Sequence, residues 1–224
     1  MARLKFGPWG AIIGKLGNTI GYIRKGIPVL RMRPHPSTKK RTVGQKATTQ
    51  RFQLIIKFMP MVNDFTNIGF RMAAKNTTKT AQNLAVSYNT KNAIKGEYPD
   101  QEIDFTKLRL CEGKLPLPAN IEITTENLGN EIRINYNWDM DASIFYARKR
   151  DQVMMLAYLP EYHSVKFLDS GARRSELHDH LVVKRNHGSV NLPQMATYAE
   201  VYIAFISNDR ESISNSLYCG KVDF

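Results

Sequence analysis

The 224-residue sequence predicts a mainly β protein, in which a C-terminal antiparallel β-sandwich follows an α+β N-terminal region. Three observations support this fold class. Short segments with alternating apolar and polar residues recur after Pro118. A helical period appears in the middle of the chain. Half of the fourteen glycines fall within residues 1–44, beside two short strand patterns. We therefore divide the chain into a basic Gly-rich hairpin and extended arm, a helical or mixed region, and a β-sandwich: 1–47, 48–114 and 115–224.

The N-terminal region begins with a predicted β-hairpin. Two short strands, Thr19–Arg24 and Ile27–Arg33, flank a tight turn at Lys25-Gly26. Pro28 lies inside the second strand and has no amide proton, so this strand is expected at the edge of a sheet. An extended linker with two prolines follows the hairpin.

The middle region is predicted to contain one or two helices. An apolar stripe at helical spacing begins after Thr48 or Thr49, either of which could cap the helix, and Pro60 should end it. A second helix is predicted over 77–88, and a strand over Ile103–Cys111. The stripe consists of Phe52, Ile55, Ile56, Met59 and Val62.

The C-terminal region is predicted to be all β. Residues 131–139 alternate cleanly between apolar and polar side chains. Turn signals separate the strand patterns, and this spacing is typical of an antiparallel sandwich. The aromatic residues Tyr136, Trp138, Tyr202 and Phe205 are expected in its core. The predicted strands are Ile121–Thr125, 131–138, Gln152–Leu159, His163–Leu168, His178–Lys184, Tyr198–Ser207 and Ser216–Val222.

Residues 115–224 resemble a fibronectin type III-like or immunoglobulin-like domain. Trp138 closes the second strand of "IEITTENLGNEIRINYNWD", as in that family. A Tyr-x-hydrophobic-x-hydrophobic pattern precedes a Ser-rich turn in "TYAEVYIAFISNDRESISNSLYCGKV". The long, charged segment 139–151 departs from the family pattern. Such a domain is a general display and assembly module, so the resemblance implies a fold and no activity.

The whole chain also resembles an uncharacterised bacterial protein family. The resemblance lies in its Gly-rich opening, with G-K-x-G at residues 14–17, in the Gln- and Arg-containing start of the first helix, and in the C-terminal half. It supports the architecture and transfers no active site.

Positive charge is concentrated at the N-terminus. The net charge is +12, yet the first acidic residue is Asp64, and residues 1–63 contain thirteen Lys and Arg. Such asymmetry is typical of a segment that meets a polyanion or an acidic protein surface. Trp9, Tyr22 and Phe52 could stack on bases; alternatively, the charges line a solvated surface or a neighbouring subunit. The residues expected to contact a partner or nucleic acid are Lys15, Arg24, Lys25, Arg31, Arg33, Lys39, Lys40 and Arg41.

No motif predicts catalysis or a cofactor. The segment Gly10–Lys15 is one residue shorter than a phosphate-binding loop, and Leu16 replaces its Ser or Thr. His178 and His180 could approach one metal ion, with Glu176 or His187 as a further ligand. A solvated His pair is the interpretation we adopt, and we assign no metal, catalytic or small-molecule site.

Cysteines and apolar runs restrict the cellular context. Cys111 and Cys219 are either two free thiols or a single disulfide. The opening residues lack the apolar length of a signal peptide or a membrane span. Synthesis in the cytoplasm is therefore expected, and an extracellular location would require release as part of an assembly.

We hypothesise a non-enzymatic structural protein that self-associates through its basic N-terminal β segment in a virion, filament or lattice, forming a homo-oligomer or larger assembly. β-addition at the Pro28 strand is one route to such contact. The alternative is a non-specific nucleic-acid-binding or packaging protein that uses the same cationic arm. An enzyme with a histidine-based site ranks last.

Overall fold

The computed structural model of the protein describes residues 3–8, 10–36, 38–129, 131–140, 148–184 and 197–223. It divides into two compact units, Met1–Thr42 and Val43–Phe224. Each unit is described by itself. The predicted boundaries at residues 47 and 114 stay predictions.

The first unit is a four-stranded antiparallel sheet, called here the N-terminal sheet, in which each strand pairs with the next. The predicted hairpin is confirmed, because Arg24 pairs with Ile27 across the Lys25-Gly26 turn. Pro28 lies in an edge strand, as expected. Glycines interrupt the alternation of apolar and polar residues in the first two strands. These two strands were absent from the prediction. The strands are β1 (Arg3–Pro8), β2 (Ile12–Leu16), β3 (Thr19–Arg24) and β4 (Ile27–Met32).

Strand β2 bends across β3 near its middle. Gly14 has a φ of 112°, a conformation that residues with a Cβ rarely adopt. A Cβ added to Gly21 would collide with the carbonyl oxygen of Ile12. The backbone of Ile12 therefore passes directly over Gly21, a position that has room only for glycine.

The second unit begins with helix α1 (Val43–Phe58). This helix starts before the predicted caps, so a cap at Thr48 or Thr49 is wrong. Both hydroxyls instead donate to carbonyl oxygens one turn earlier, at Gly44 and Gln45, over 3.0 and 2.9 Å. The end of the helix before Pro60 is confirmed.

Three further helices follow: α2 (Asn63–Gly69), α3 (Arg71–Ala74) and α4 (Ala81–Asn92). The helix predicted over 77–88 corresponds to α4. It begins later than predicted because the Thr80 hydroxyl caps it, accepting the Asn83 N–H over 3.1 Å.

The strand predicted over Ile103–Cys111 is wrong. Only its first residue belongs to a strand, in the short pair of β5 (Ile94–Lys95) and β6 (Glu102–Ile103). The Asp104 carboxylate then accepts the N–H of Thr106 over 3.2 Å and starts a 3-10 turn over Phe105–Lys107. A local side-chain cap therefore replaces the pairing partner that a strand would need.

The seven strands predicted after Pro118 are confirmed, with small shifts at their ends. They form two antiparallel sheets, called here the two-sheet body: a three-stranded sheet in the order β11-β8-β7 and a four-stranded sheet in the order β10-β9-β12-β13. The strands are β7 (Ile121–Asn127), β8 (Glu131–Trp138), β9 (Gln152–Leu159), β10 (Ser164–Leu168), β11 (His178–Lys184), β12 (Tyr198–Ile206) and β13 (Leu217–Asp223).

The four-stranded sheet is covered on both faces. On one face Phe205 meets Trp138 of the three-stranded sheet edge to face, with ring centroids 5.4 Å apart. On the other face Tyr158 packs against Phe58 of α1, with centroids 5.1 Å apart. Tyr202 lies on this helix-covered face, so its expected place between the two sheets is corrected.

The two cysteines are free thiols, which settles the alternative left open by the sequence. Cys111 lies in the core under the helices, and Cys219 packs against the core between the two sheets. Burial raises the pKa of both, that of Cys219 to about 12. Within the described ranges, no helix is long and apolar enough to cross a membrane.

Candidate functional site

Cross-strand pairing sorts the residues of β2, β3 and β4 onto two faces of the N-terminal sheet. Direct partners in an antiparallel pair share a face, and successive residues alternate between faces. Lys15 pairs with Ile20, which pairs with Arg31; one residue along, Leu16 pairs with Thr19. We call one side the cationic face: Lys15, Ile20, Tyr22, Arg24, Ile27, Val29 and Arg31. We call the other the apolar face: Leu16, Thr19, Gly21, Ile23, Pro28, Leu30 and Met32.

The cationic face brings together three of the eight predicted contact residues, Lys15, Arg24 and Arg31, all exposed. The Arg31 guanidinium carbon lies 5.9 Å from the centre of the half-buried Tyr22 ring. The chain has no acidic residue before Asp64, so no carboxylate of this unit offsets these charges. An aromatic ring beside a cation, on a face with two further cations, is an arrangement that favours phosphate and base contact.

Lys25 occupies the tip of the β3–β4 hairpin. Its φ is 47° and that of Gly26 is 81°, so both central residues have a positive φ, as a type I′ turn requires. Asn is the usual first residue of such a turn, and the left-handed conformation costs a Lys residue about 1 kcal/mol. The turn holds this cation at the end of the sheet.

The remaining predicted contact residues follow the sheet. The Arg33 N–H donates to the carbonyl oxygen of Asn18 over 2.6 Å and adds one bond to the β3–β4 ladder. Lys39, Lys40 and Arg41 are exposed in the segment that leads to α1. The structure therefore places three of the eight on one face, one at the turn, and four after β4.

Most large side chains of the apolar face are exposed, although the Ile12 backbone lies over its central residue, Gly21. Among the described side chains of the first unit, only Gly21 is buried. A sheet of this size ordinarily covers one face with other elements to gain stability. The large exposed side chains and their exposed fractions are Leu16 (53%), Ile23 (42%), Leu30 (56%) and Met32 (65%).

The edge of the sheet at β4 is partly blocked. The bond from Arg33 to Asn18 sets the alternation of the ladder, so the backbone groups of Pro28, Leu30 and Met32 point away from β3. Pro28 has no N–H to offer a further strand. Prolines at such positions are a common protection against edge-to-edge pairing.

The residues of the rejected phosphate loop are part of this sheet. Lys15 lies in β2, and the chain turns at Gly17-Asn18 directly into β3, so no helix N-terminus follows. Of the predicted stacking residues, Tyr22 lies on the cationic face and Phe52 is exposed in α1. Trp9 is outside the described residues.

His178 and His180 lie exposed on the outer face of the three-stranded sheet. The Asp179 carboxylate between them accepts two backbone N–H groups, from Ala172 over 2.6 Å and from His180 over 2.7 Å. Across the described ranges, no three His, Cys, Asp or Glu side chains cluster in a way that could hold a metal. His187 is outside those ranges.

Two buried charged residues of the two-sheet body, Asp151 and Arg174, gave no signal in the sequence, since they are far apart along the chain. Both are buried, and burial raises the pKa of Asp151 and lowers that of Arg174. The Arg174 guanidinium lies 4.2 Å above the ring of Phe205 and donates to the Pro116 carbonyl over 2.7 Å. These two contacts attach Arg174 to the Phe205 ring and to the backbone at Pro116.

A polar cleft of about 670 Å³ lies beside the end of α4. Lys91, Lys107 and Arg109 contribute to its lining, and the Arg109 guanidinium stacks 4.0 Å from the centre of the Tyr88 ring. Lys107 is paired with Asp104 at 3.6 Å. The cations that line this cleft come from separate parts of the chain, so no sequence motif predicted the cleft.

Comparison with known families shows which family the chain belongs to. A model described as a family of unknown function, DUF6266, matches residues 10–220. The chain belongs to the DUF6266 family. The predicted membership of a family with no assigned activity is thus confirmed. Neither the curated proteins nor the solved structures contain a match to it.

The extent of the DUF6266 match is informative about the N-terminal sheet. The match begins at residue 10, ahead of β2, and ends at residue 220 within β13. Both the cationic face and the apolar face are therefore inside the DUF6266 region, as are the helices and the two-sheet body up to residue 220.

Proposed function

We propose that this DUF6266 protein is a non-enzymatic structural component that self-associates through its N-terminal sheet, as part of a virion, filament or lattice. The observation that carries the proposal is the apolar face, whose large side chains are exposed while the cations of the strands lie on the opposite face. Covering apolar surface is favourable by about 25 cal/mol per Å². Exposed patches of this kind are typical of interaction surfaces.

The two-sheet body supports a structural role. We propose that it is a fibronectin type III-like sandwich, because a three-stranded sheet in the order β11-β8-β7 facing a four-stranded sheet in the order β10-β9-β12-β13 agrees with that fold. Domains of this kind serve mainly for display and assembly. The buried thiol of Cys111 and the half-buried thiol of Cys219 are poor nucleophiles, since burial raises the pKa of both.

Sedimentation velocity of the full-length protein tests self-association. Over a roughly hundredfold range of protein concentration, the average sedimentation coefficient should rise with concentration, as mass action requires. A nuclease-treated sample separates protein assembly from co-purified nucleic acid. A protein that stays monomeric over the whole range, with and without added nucleic acid, would contradict the proposal.

Non-specific nucleic-acid binding is the second candidate function. The observation in its favour is the cationic face, with Tyr22 beside Arg31, followed by the exposed Lys39, Lys40 and Arg41. Binding of single-stranded DNA, measured by fluorescence anisotropy, should weaken steeply with salt. The logarithmic slope should be about −0.7 for each phosphate contact.

A matched pair of triple variants tests which cations bind. Lys39→Gln, Lys40→Gln and Arg41→Gln together should lower the affinity and the salt slope. The control removes three exposed cations from the second unit, by Lys91→Gln, Lys166→Gln and Lys184→Gln. Equal losses in the two triples would contradict a specific role for the N-terminal cations.

A further inference from the structure

We propose that the polar cleft beside the end of α4, called here the α4 cleft, binds a small organic phosphate, a molecule that carries a phosphomonoester group. The walls of the cleft come from α4, from the 3-10 turn over Phe105–Lys107 with the residues after it, and from the beginning of β13. Every lining residue belongs to the second unit, so the site is independent of self-association through the N-terminal sheet.

The charge of the α4 cleft favours an anion. Among the described residues, its lining includes three cations, Lys91, Lys107 and Arg109, and no Asp or Glu. A second cleft, of about 650 Å³, shares Arg109, but its lining mixes cations with Glu112 and Glu211. A concave surface lined by charge of one sign concentrates the electrostatic potential, so the α4 cleft is the better anion site of the two.

Arg109 is held in place by both its backbone and its side chain. The buried Asn89 side chain donates to the Arg109 carbonyl oxygen and accepts the Arg109 N–H, each over 2.8 Å. The guanidinium stacks 4.0 Å from the centre of the Tyr88 ring. Its own N–H groups donate to no acceptor in the part of the chain that the structure describes, so they form an oriented set of unused donors.

Two further donors line the same cleft. Lys91 comes three residues after Tyr88, so both side chains lie on the same side of α4. The Ser216 hydroxyl accepts the Leu110 N–H over 2.8 Å, and its own hydrogen has no acceptor among the described residues. The α4 cleft therefore offers a planar guanidinium, an ammonium and a hydroxyl.

A phosphomonoester matches these donors better than a carboxylate does. The guanidinium of Arg109 can bind both oxygens of a carboxylate by itself. A phosphomonoester has about three free oxygens and a charge of about −2 at pH 7, so Lys91 and Ser216 also have an oxygen to bind. Lys107 already pairs with Asp104 at 3.6 Å, and its contribution should therefore be smaller.

The size and the remaining walls of the α4 cleft favour an organic phosphate over the free ion. Its volume of about 670 Å³ lies within the range of about 300–1,000 Å³ that is typical of small-molecule sites. The exposed Leu217 and the half-buried Ile94 provide apolar surface beside the cations. An apolar part of the ligand can cover this surface, which is favourable in water.

Isothermal titration calorimetry of the full-length protein tests the site, with AMP and glycerol phosphate as probes and adenosine as the uncharged control. Arg109→Gln should lower the affinity for both phosphates at least about tenfold, because the charged hydrogen bonds are lost. This variant should still fold, since Asn89 bonds only the backbone of residue 109. Lys91→Gln should cause a smaller loss. Arg173→Gln, which removes an exposed guanidinium elsewhere in the second unit, should cause none.

The pH dependence of binding identifies the phosphate group. The second pKa of a phosphomonoester is about 6, so the dianion rises from about one tenth to about nine tenths of the ligand between pH 5 and pH 7. The described lining has no His, Asp or Glu, and a hydrogen bond from Thr106 lowers the pKa of the neighbouring Asp104. The affinity for both probes should therefore rise severalfold over this interval, while that for sulfate, which stays a dianion, should not.

The possible outcomes separate this site from other anion contacts. Equal binding of the probes to the wild type and to Arg109→Gln would overturn the assignment, as would no binding at millimolar concentration. Sulfate that binds as tightly as the organic phosphates would show an adventitious ion only. Single-stranded DNA without a terminal phosphate should bind the wild type and Arg109→Gln equally, because each of its phosphodiesters has fewer free oxygens and one charge. A loss of DNA binding in Arg109→Gln would assign the cleft to nucleic acid and overturn the proposal.

Discussion

Two antiparallel four-stranded sheets in this chain have opposite surroundings. The sheet β10-β9-β12-β13 is covered on one face by a second sheet and on the other by helices. The N-terminal sheet β1-β2-β3-β4 buries only Gly21 among the described side chains of its unit. The same backbone arrangement is thus a core layer in one case and an exposed surface in the other.

The order of apolar and charged side chains along the strands explains why one sheet is covered and the other is exposed. Strands β9 and β12 carry apolar residues at consecutive positions, so both of their faces favour burial. Strands β2, β3 and β4 each place one cation on the same face, Lys15, Arg24 and Arg31, and these charges favour contact with water. The two-sheet body therefore contributes most of the stability of its unit. The N-terminal sheet leaves apolar surface exposed, which favours contacts outside its unit.

The largest expected effect is a break in the covered sheet. Phe205→Ala should lower the free energy of unfolding by about 3–5 kcal/mol, because the ring is fully buried between the two sheets. Ile23→Ala, in the N-terminal sheet, should change it by less than about 0.5 kcal/mol. Urea denaturation of the dilute protein measures both. Equal losses would show that Ile23 is covered in the monomer.

Gly21→Ala should have an intermediate and local effect. Its Cβ would collide with the Ile12 carbonyl, so β2 must separate from β3 at a cost of about 1–3 kcal/mol. Hydrogen exchange should quicken at the amides of β2, β3 and β4 and stay unchanged in β9 and β12.

Gly44→Ala is the matched control for Gly21→Ala. Gly44 lies in α1, and an added Cβ would meet nothing within 4 Å. This change should stabilise the helix by about 0.5–1 kcal/mol. Unchanged exchange in the N-terminal sheet of Gly21→Ala would contradict the close approach of Ile12.

The smallest effect concerns the two thiols. Cys111 lies under the helices and Cys219 packs between the two sheets, so their reactivity reports on the two faces of the four-stranded sheet. Burial raises the pKa of Cys219 to about 12, so at pH 8 only about one thiol in ten thousand is ionised. Alkylation of the native protein should be slow at pH 8 and accelerate as pH rises towards 12. Cys111, fully buried under the helices, should react more slowly still.

Mass spectrometry after iodoacetamide treatment measures this order, and urea-unfolded protein, in which both thiols should react at ordinary rates, is the control. Rapid labelling of native Cys219 at pH 8 would contradict its raised pKa. Labelling of Cys111 first would show that the helical cover opens more readily than the contact between the sheets.

Strict alternation made the strands of the two-sheet body predictable. In β8, the residues Ile132, Ile134, Tyr136 and Trp138 are buried in turn, and the strand follows from the pattern alone. The helical cover was harder to infer, although the apolar run at residues 201–206 of β12 indicates burial on both faces. That signal explains why Tyr202 faces the helices.

Other elements depend on contacts that a sequence pattern does not encode. Strands β1 and β2 contain glycines that hide their alternation, and β2 bends at Gly14. The apolar residues Leu108 and Leu110 imitate a strand, but the Asp104 cap starts a 3-10 turn before them. The candidate site was visible as a run of cations; its division into two faces required the register between Lys15, Ile20 and Arg31.

The double cover of the four-stranded sheet limits how this body can be reused in evolution or engineering. A sandwich with a polar outer face can be moved between proteins as a self-sufficient module. Here the outer face of β9 and β12 carries Met154, Leu156 and Tyr202, which pack into a core shared with the helices. The sandwich is therefore not portable without α1, α2 and α4, and any shuffling of domains would have to carry residues 43–223 as one inseparable block.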